Sequence, residues 1–169
     1  PRRRETRAKV GELLAIRPGT DVYLLLALLH VVVHEIGIDP VAWRVVTIGL
    51  DEFLAVSAPW TPERVAPVCG LDADRIREVA TAFAGADGAC AYLSTGVNMG
   101  PFGSVSYWLA QGLNLVTGNL DRPGGMRVPE GPFDVLALAK ALGHGEAGDD
   151  HALPLLGRVV LGVLRQVAV

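Results

Sequence analysis

Ile16-Arg17-Pro18-Gly19-Thr20-Asp21 runs without a break into Val22-Tyr23-Leu24-Leu25-Leu26-Ala27-Leu28-Leu29. The first six residues spell a turn and the next eight a buried helix, and this step decides the fold. Pro18 fixes φ, and Gly19 opens a backbone angle closed to other residues. Thr20 or Asp21 then stands where a cap meets the first free amides. A helix start of this kind favours an anion, because its leading N–H groups have no partner within the helix. Taken alone, the pattern is that of a well-capped core helix from Asp21 to Glu35. It is apolar nearly all round, and Gly37 and Pro40 stop it.

Outward from this step the chain alternates helical signals with turn residues. Leu13-Leu14-Ala15-Ile16 reads as a short strand or extended entry to the turn. Val41 to Ile48 carries β-branched residues in a setting that also suits an irregular helix. Leu50 to Val56 reads as a short helix. Trp60-Thr61-Pro62-Glu63 is a strong start signal, with Thr61 as cap and Pro62 at the first helical position. That helix closes at Gly70. Asp72 or Asp74 opens the next, which ends near Gly85. Ala89 to Ser94, between Gly88 and Gly96, has the length and composition of a buried strand. A glycine-rich loop from Gly96 to Gly103 follows, then a helix capped by Ser104 and closed by Gly118. Pro132 to Leu142 reads as a last helix, and Leu153 to Val169 is apolar without a legible role. The expected class is α/β, with few strands.

The 169 residues suit one domain that buries roughly 70% of its unfolded surface. Half are apolar and a fifth charged, which excludes a disordered chain. The net charge of −3 offers no general field for nucleic acid; the one basic cluster is Arg2-Arg3-Arg4 with Arg7 and Lys9. Cys69 and Cys90 lack C-x-x-C spacing, so the chain holds no ligand set for a zinc ribbon or an iron–sulfur cluster. Two such lone thiols fit a reducing compartment, and the expected location is the cytoplasm. The longest apolar run, Val22 to Val33, is interrupted by His30 and too short for a membrane span.

His30 and His34 lie one helical turn apart but have no identifiable third ligand. Packed or surface histidines are therefore the expectation, and no metal site is assigned. Neither Ser94 nor Ser104 sits in a G-x-S-x-G elbow. The loop Gly96-Val97-Asn98-Met99-Gly100-Pro101-Phe102-Gly103 is neither G-x-G-x-x-G nor a Gly-Lys-Ser/Thr phosphate loop. Its setting, between a strand and a helix start, is nevertheless how α/β proteins bring backbone N–H groups to a phosphate. Two polar turns feeding buried helices would suit the two ends of one dinucleotide-like ligand.

Five motifs, in order, resemble the molybdopterin oxidoreductases, the group that includes formate dehydrogenases, nitrate reductases and dimethyl sulfoxide reductase. They are Pro1-Arg2-Arg3-x-Glu5-Thr6, Leu14 to Asp21, Trp60-Thr61-Pro62-Glu63, Gly96-Val97-Asn98, and Thr117 to Gly125. The resemblance implies that residues 1–145 are a helix-rich, incomplete part of a Rossmann-like domain holding molybdopterin guanine dinucleotide. Residues 146–169 are then a divergent tail, whose apolar run suits a helix. It implies cofactor contacts at Arg17, Gly19, Thr20 and Asp21, and at Gly96, Val97, Asn98, Met99 and Gly103. Asp21 corresponds to the aspartate that binds guanine, whose Watson–Crick edge offers two adjacent N–H donors to a carboxylate.

The resemblance further implies an internal fragment of a catalytic subunit carrying a molybdenum or tungsten bis(molybdopterin guanine dinucleotide). No catalytic or metal-ligating residue falls within this stretch. Any 4Fe–4S cluster belongs to an upstream part. The implied partners are the remaining domains of the same subunit and electron-transfer subunits. Met99 departs from the pattern, standing where a glutamine is common and offering only a weak thioether acceptor. The alternative is a redox-inactive structural subunit keeping the same fold. Asp21 argues for a working cofactor site.

Overall fold

The protein, seen as a computed structural model, is described over residues 11–44 and 47–127. The basic cluster, the Pro1–Thr6 motif, the expected helix at 132–142 and the tail from 146 lie outside the described residues. Pro18 and Gly19 form the corner of the opening turn. The Thr20 N–H donates to the Arg17 carbonyl at 3.3 Å, and Gly19 has φ +78°. Proline followed by glycine at these positions is the type II pattern. Helix α1, Asp21–His30, follows at once.

The expected cap is absent. The Thr20 hydroxyl donates backwards to the Arg17 carbonyl at 2.7 Å, and no side chain accepts from the first amides of α1. The turn is thereby locked on both its backbone and its side chain, while the helix start stays open. Helix α1 continues as a π-helical turn, Val31–Glu35, with the Ile36 N–H reaching the Val31 carbonyl at 2.8 Å. Gly37, at φ +78°, ends it where its sequence indicates.

A 3₁₀ turn, Val41–Trp43, makes irregular helix of the start of the ambiguous stretch, of which residues 45 and 46 lie outside the described residues. Helix α2 is Leu50–Ser57, α3 is Pro62–Cys69 and α4 is Ala73–Gly85. Helix α3 follows its sequence signals closely. Thr61 accepts from the Arg64 N–H at 3.4 Å, Pro62 opens the helix, and Gly70 closes it at φ +78°. A short α5, Thr95–Asn98, turns the first part of the expected loop into helix. Helix α6, Gly103–Val116, starts one residue ahead of Ser104, and Ser104 does not cap it.

Helix α1 is the hub, contacting α2, α3, α4 and α6. Val22, Leu25 to Leu29, Val31 and Val32 are all buried, so the helix has no solvent face to speak of. Each large side chain among them contributes about 1.5–3 kcal/mol by leaving water. Among the described residues no helix is long and apolar enough to cross a membrane.

Ala89 to Ser94, expected as a buried strand, is an extended segment that pairs with no strand among the described residues. Ala89, Ala91 and Leu93 are half-buried while Cys90, Tyr92 and Ser94 are exposed, the period of two expected of a strand. The single bridge among the described residues joins Leu120 to Met126. A sheet forms only when a second strand is at hand, and here side chains take that place.

At the far end of α1, Arg77 of α4 ties three elements together. It makes a two-pronged bond to Glu35 at 2.7 and 2.9 Å and a third to Glu63 at 2.6 Å. The Arg77 guanidinium holds the Glu63 carboxyl below its usual range, and the two carboxylates push the Arg77 pKa up. A depressed carboxyl pKa stabilises the fold above the unfolded value, and that share is lost as pH falls through the folded one. Urea titrations between about pH 3 and pH 6 should therefore show a shallower rise of stability with pH in Glu63→Gln than in the unaltered chain. Equal slopes would remove Glu63 from the network.

Candidate functional site

The starts of α1 and α6 lie together. Tyr23, in the first turn of α1, meets Phe102, the residue before α6, edge to face with ring centroids 6.4 Å apart. Tyr23 also packs on Trp60 at 5.4 Å, and Arg64 lies over the Trp60 ring at 4.4 Å. Toward their other ends, α1 and α6 both rest on α2. His30 bonds the Ser57 carbonyl at 3.0 Å, while Phe53 packs edge to face on Trp108 at 4.6 Å and fills the space beside Gly112. The two helices therefore run in the same direction, and their positive ends adjoin. Neighbouring helix starts reinforce each other's preference for negative charge.

Asp21 and Thr20 are half-buried at the first of these ends, and Gly19 is exposed with nothing within 4 Å of where a Cβ would stand. Among the described residues the Asp21 carboxylate has no hydrogen-bonding or ionic partner. Gly96, Asn98 and Met99 are exposed at the second end, Met99 at 82%, with Val97 half-buried between them. Gly96 likewise has open space on its Cβ side.

Two expected contact residues also serve the framework. Arg17 turns its guanidinium onto the Pro67 and Val68 carbonyls, and its own N–H donates to the Cys69 carbonyl at 2.9 Å. It thus supplies positive charge and donors to the C-terminal end of α3, where the last carbonyls need both. Gly103 is buried, and a Cβ there would overlap the Asn98 carbonyl. Its missing side chain lets the end of α5 fold against the start of α6.

His30 is packed and His34 lies at the surface, the two settings expected of them. The Ser57 hydroxyl donates to the Leu54 carbonyl at 2.8 Å, so its oxygen accepts from Nε2–H of His34 at 3.1 Å. The Ser57 carbonyl accepts from Nδ1–H of His30. Both rings are committed as donors to α2.

What sequence reasoning missed is the support behind the second turn. Asn114 and Asn119, both buried, bond the backbone of the extended segment that leads into it. The detectable signal was an asparagine within the apolar face formed by Leu109, Ala110, Leu113 and Val116. A polar residue there requires a partner.

With this arrangement in place, the chain's similarities acquire a structural meaning. It is 29% identical over 149 residues to a nitrate reductase of Synechocystis, covering 87% of this chain and 20% of that protein. It is 31% identical over 124 residues to formate dehydrogenase H of Escherichia coli, covering 73% of this chain and 17% of that protein. It is 33% identical over 133 residues to a dimethyl sulfoxide/trimethylamine N-oxide reductase of Cereibacter sphaeroides, covering 74% and 16%. The chain belongs to the molybdopterin oxidoreductases. It spans about a fifth of the length of these relatives. No family model matches it. As a molybdopterin oxidoreductase segment, it places its Arg17–Asp21 and Gly96–Met99 motifs at adjoining helix starts.

The two glycines of the second turn respond differently to a methyl group. Gly103→Ala should lower stability by about 1–3 kcal/mol, because a backbone carbonyl must move. Gly96→Ala should change it by less than about 0.5 kcal/mol. Denaturant midpoints of the two variants check this, and equal effects would refute the packing role of Gly103.

Proposed function

We propose that this chain supplies a guanine-nucleotide cradle in the catalytic subunit of a molybdenum or tungsten oxidoreductase. The ligand is molybdopterin guanine dinucleotide, one of the two carried by a bis(dinucleotide) cofactor, lying across the adjoining starts of α1 and α6. The observation that carries this is an unpaired carboxylate, among the described residues, beside two parallel helix starts that meet at Tyr23 and Phe102.

The donor set suits the group. A carboxylate is the wrong neighbour for a phosphate and the right one for guanine, whose N1–H and exocyclic amine donate side by side. Asp21 takes that role. Gly19, with no side chain and open space before it, admits the base or ribose close to the backbone. The uncapped amides of α1 and the turn at Gly96–Met99 are left to the phosphates and pterin. Met99 presents a soft apolar surface there. Arg17 and Gly103 act one step back, holding the two turns in place. When bound, the metal–dithiolene centre supplies the redox chemistry, and this chain's residues bind and orient the group.

The order of extended segment, small-residue turn and helix start supports a Rossmann-like α/β unit completed by other domains of the same subunit. Those domains and electron-transfer subunits are the proposed partners, and any 4Fe–4S cluster lies with them. The two free thiols, buried Cys69 and exposed Cys90, support a cytoplasmic location.

The base assignment is tested by Asp21→Asn with two probes, GDP and xanthosine diphosphate. Xanthine carries an acceptor where guanine carries its amine, and an asparagine amide donates to that acceptor. Calorimetry should show GDP binding weakened about tenfold or more and the xanthine nucleotide gaining in the variant. Unchanged GDP affinity in Asp21→Asn would overturn the guanine site.

A further inference from the structure

We propose that Asn114 is a positioning residue for the Gly96–Met99 turn, acting as a one-residue substitute for a neighbouring β-strand. The proposal rests on the cofactor reading only for its functional consequence.

The carboxamide of Asn114 is fully buried and makes two bonds to one residue of the extended segment. The Ala91 N–H donates to its Oδ1 at 2.8 Å, and its Nδ2 donates to the Ala91 carbonyl at 3.1 Å. This is the exchange that a residue in an adjacent strand makes through its own peptide groups. Two residues back, the Ala89 N–H donates to Oδ1 of Asn119 at 3.1 Å. Asn119 is itself fixed. Its Nδ2 donates to the Thr117 hydroxyl at 3.0 Å, and its N–H donates to the Asn114 carbonyl at 2.7 Å.

The spacing has a physical reason. In an extended chain the peptide groups of residues i and i+2 point to the same edge. Ala89 and Ala91 therefore face the last turn of α6, while the edge bearing Cys90 and Tyr92 has no backbone partner among the described residues. The turn from Asn119 to Met126 closes the frame. The Met126 N–H donates to the Asn119 carbonyl at 2.7 Å, Gly125 leaves room for that carbonyl, and Gly124 packs on Gly88.

Three residues beyond Ala91, the Ser94 carbonyl accepts from the Val97 N–H at 3.0 Å and starts α5. The turn is thus held at one end by Asn114 through Ala91, and at the other by Gly103 against Asn98. Both anchors sit on α6. One helix therefore sets the Gly96–Met99 backbone relative to its own N-terminus, the arrangement a phosphate-binding turn requires.

Two variants of the full chain test this by hydrogen exchange. Asn114→Leu keeps the volume and loses both bonds. It should raise exchange at residues 89–99 about tenfold or more while α1 to α4 keep their protection. Asn114→Asp adds a readout that plain packing would not give. Its neutral carboxyl can both accept from the Ala91 N–H and donate to the Ala91 carbonyl, whereas its ionised form faces that carbonyl with repulsion. Protection at 89–99, corrected for intrinsic exchange, should therefore fall in Asn114→Asp as pH rises, and stay flat in the unaltered chain. Unchanged exchange in Asn114→Leu, or a flat profile in Asn114→Asp, overturns the clamp. GDP titration separates the two levels. Loosened exchange with full GDP affinity in Asn114→Leu overturns the positioning role. GDP that fails to bind even the unaltered chain overturns the cofactor reading and leaves the exchange result to decide the clamp.

Discussion

Helix α1 has almost no face to give to water, and every other described helix but the short α5 is placed by covering it. A helix apolar on all sides cannot lie on a surface, so α2, α3, α4 and α6 enclose it. That enclosure has a consequence at the two ends. Where the apolar run stops, at His34 and Glu35, the neighbours supply polar partners, Ser57 to the histidine and Arg77 to the carboxylate. Where it starts, at Thr20 and Asp21, the side chains leave the leading amides alone.

The open start is a matter of competition for one hydroxyl. Thr20 could accept from the helix amides, yet it donates to Arg17 and locks the Pro18–Gly19 corner. Arg17 in turn spends its guanidinium on the end of α3. The polar groups of the turn are used up in shaping it, and what they shape is an uncapped helix start with a carboxylate at its edge. Tyr23 and Phe102 then bring the second helix start alongside. In the proposed cradle, charge preference comes from backbone direction and base preference from Asp21.

Much of this was legible beforehand. The corner at Pro18–Gly19, the cap at Thr61 and the stops at Gly37 and Gly70 each depend on a local backbone preference that a single residue carries. They appear where their residues indicate. Ser104 and Thr20 were misjudged as caps for one reason: a hydroxyl has several acceptors and donors within reach, and only the folded neighbourhood ranks them. At Gly103 and Arg17 the framework role went unread, because glycine and arginine suit both a ligand and a framework. Their partners, the Asn98 carbonyl and the end of α3, are invisible in a linear chain.

Ala89 to Ser94 marks the boundary most clearly. Its alternation of inward and outward residues is a local property, but composition pointed to a buried strand, whereas Cys90, Tyr92 and Ser94 are exposed. What satisfies its peptide groups is a long-range property, decided by which atoms arrive beside it. Here they are the carboxamides of Asn114 and Asn119, more than twenty residues away, because α6 packs along α1 and ends there. The sequence by itself determined the turn, the buried helix and the family to which they belong. Only the tertiary structure decided which helix starts adjoin and which polar side chains stay unpaired among the described residues, because those depend on the packing of distant segments around α1.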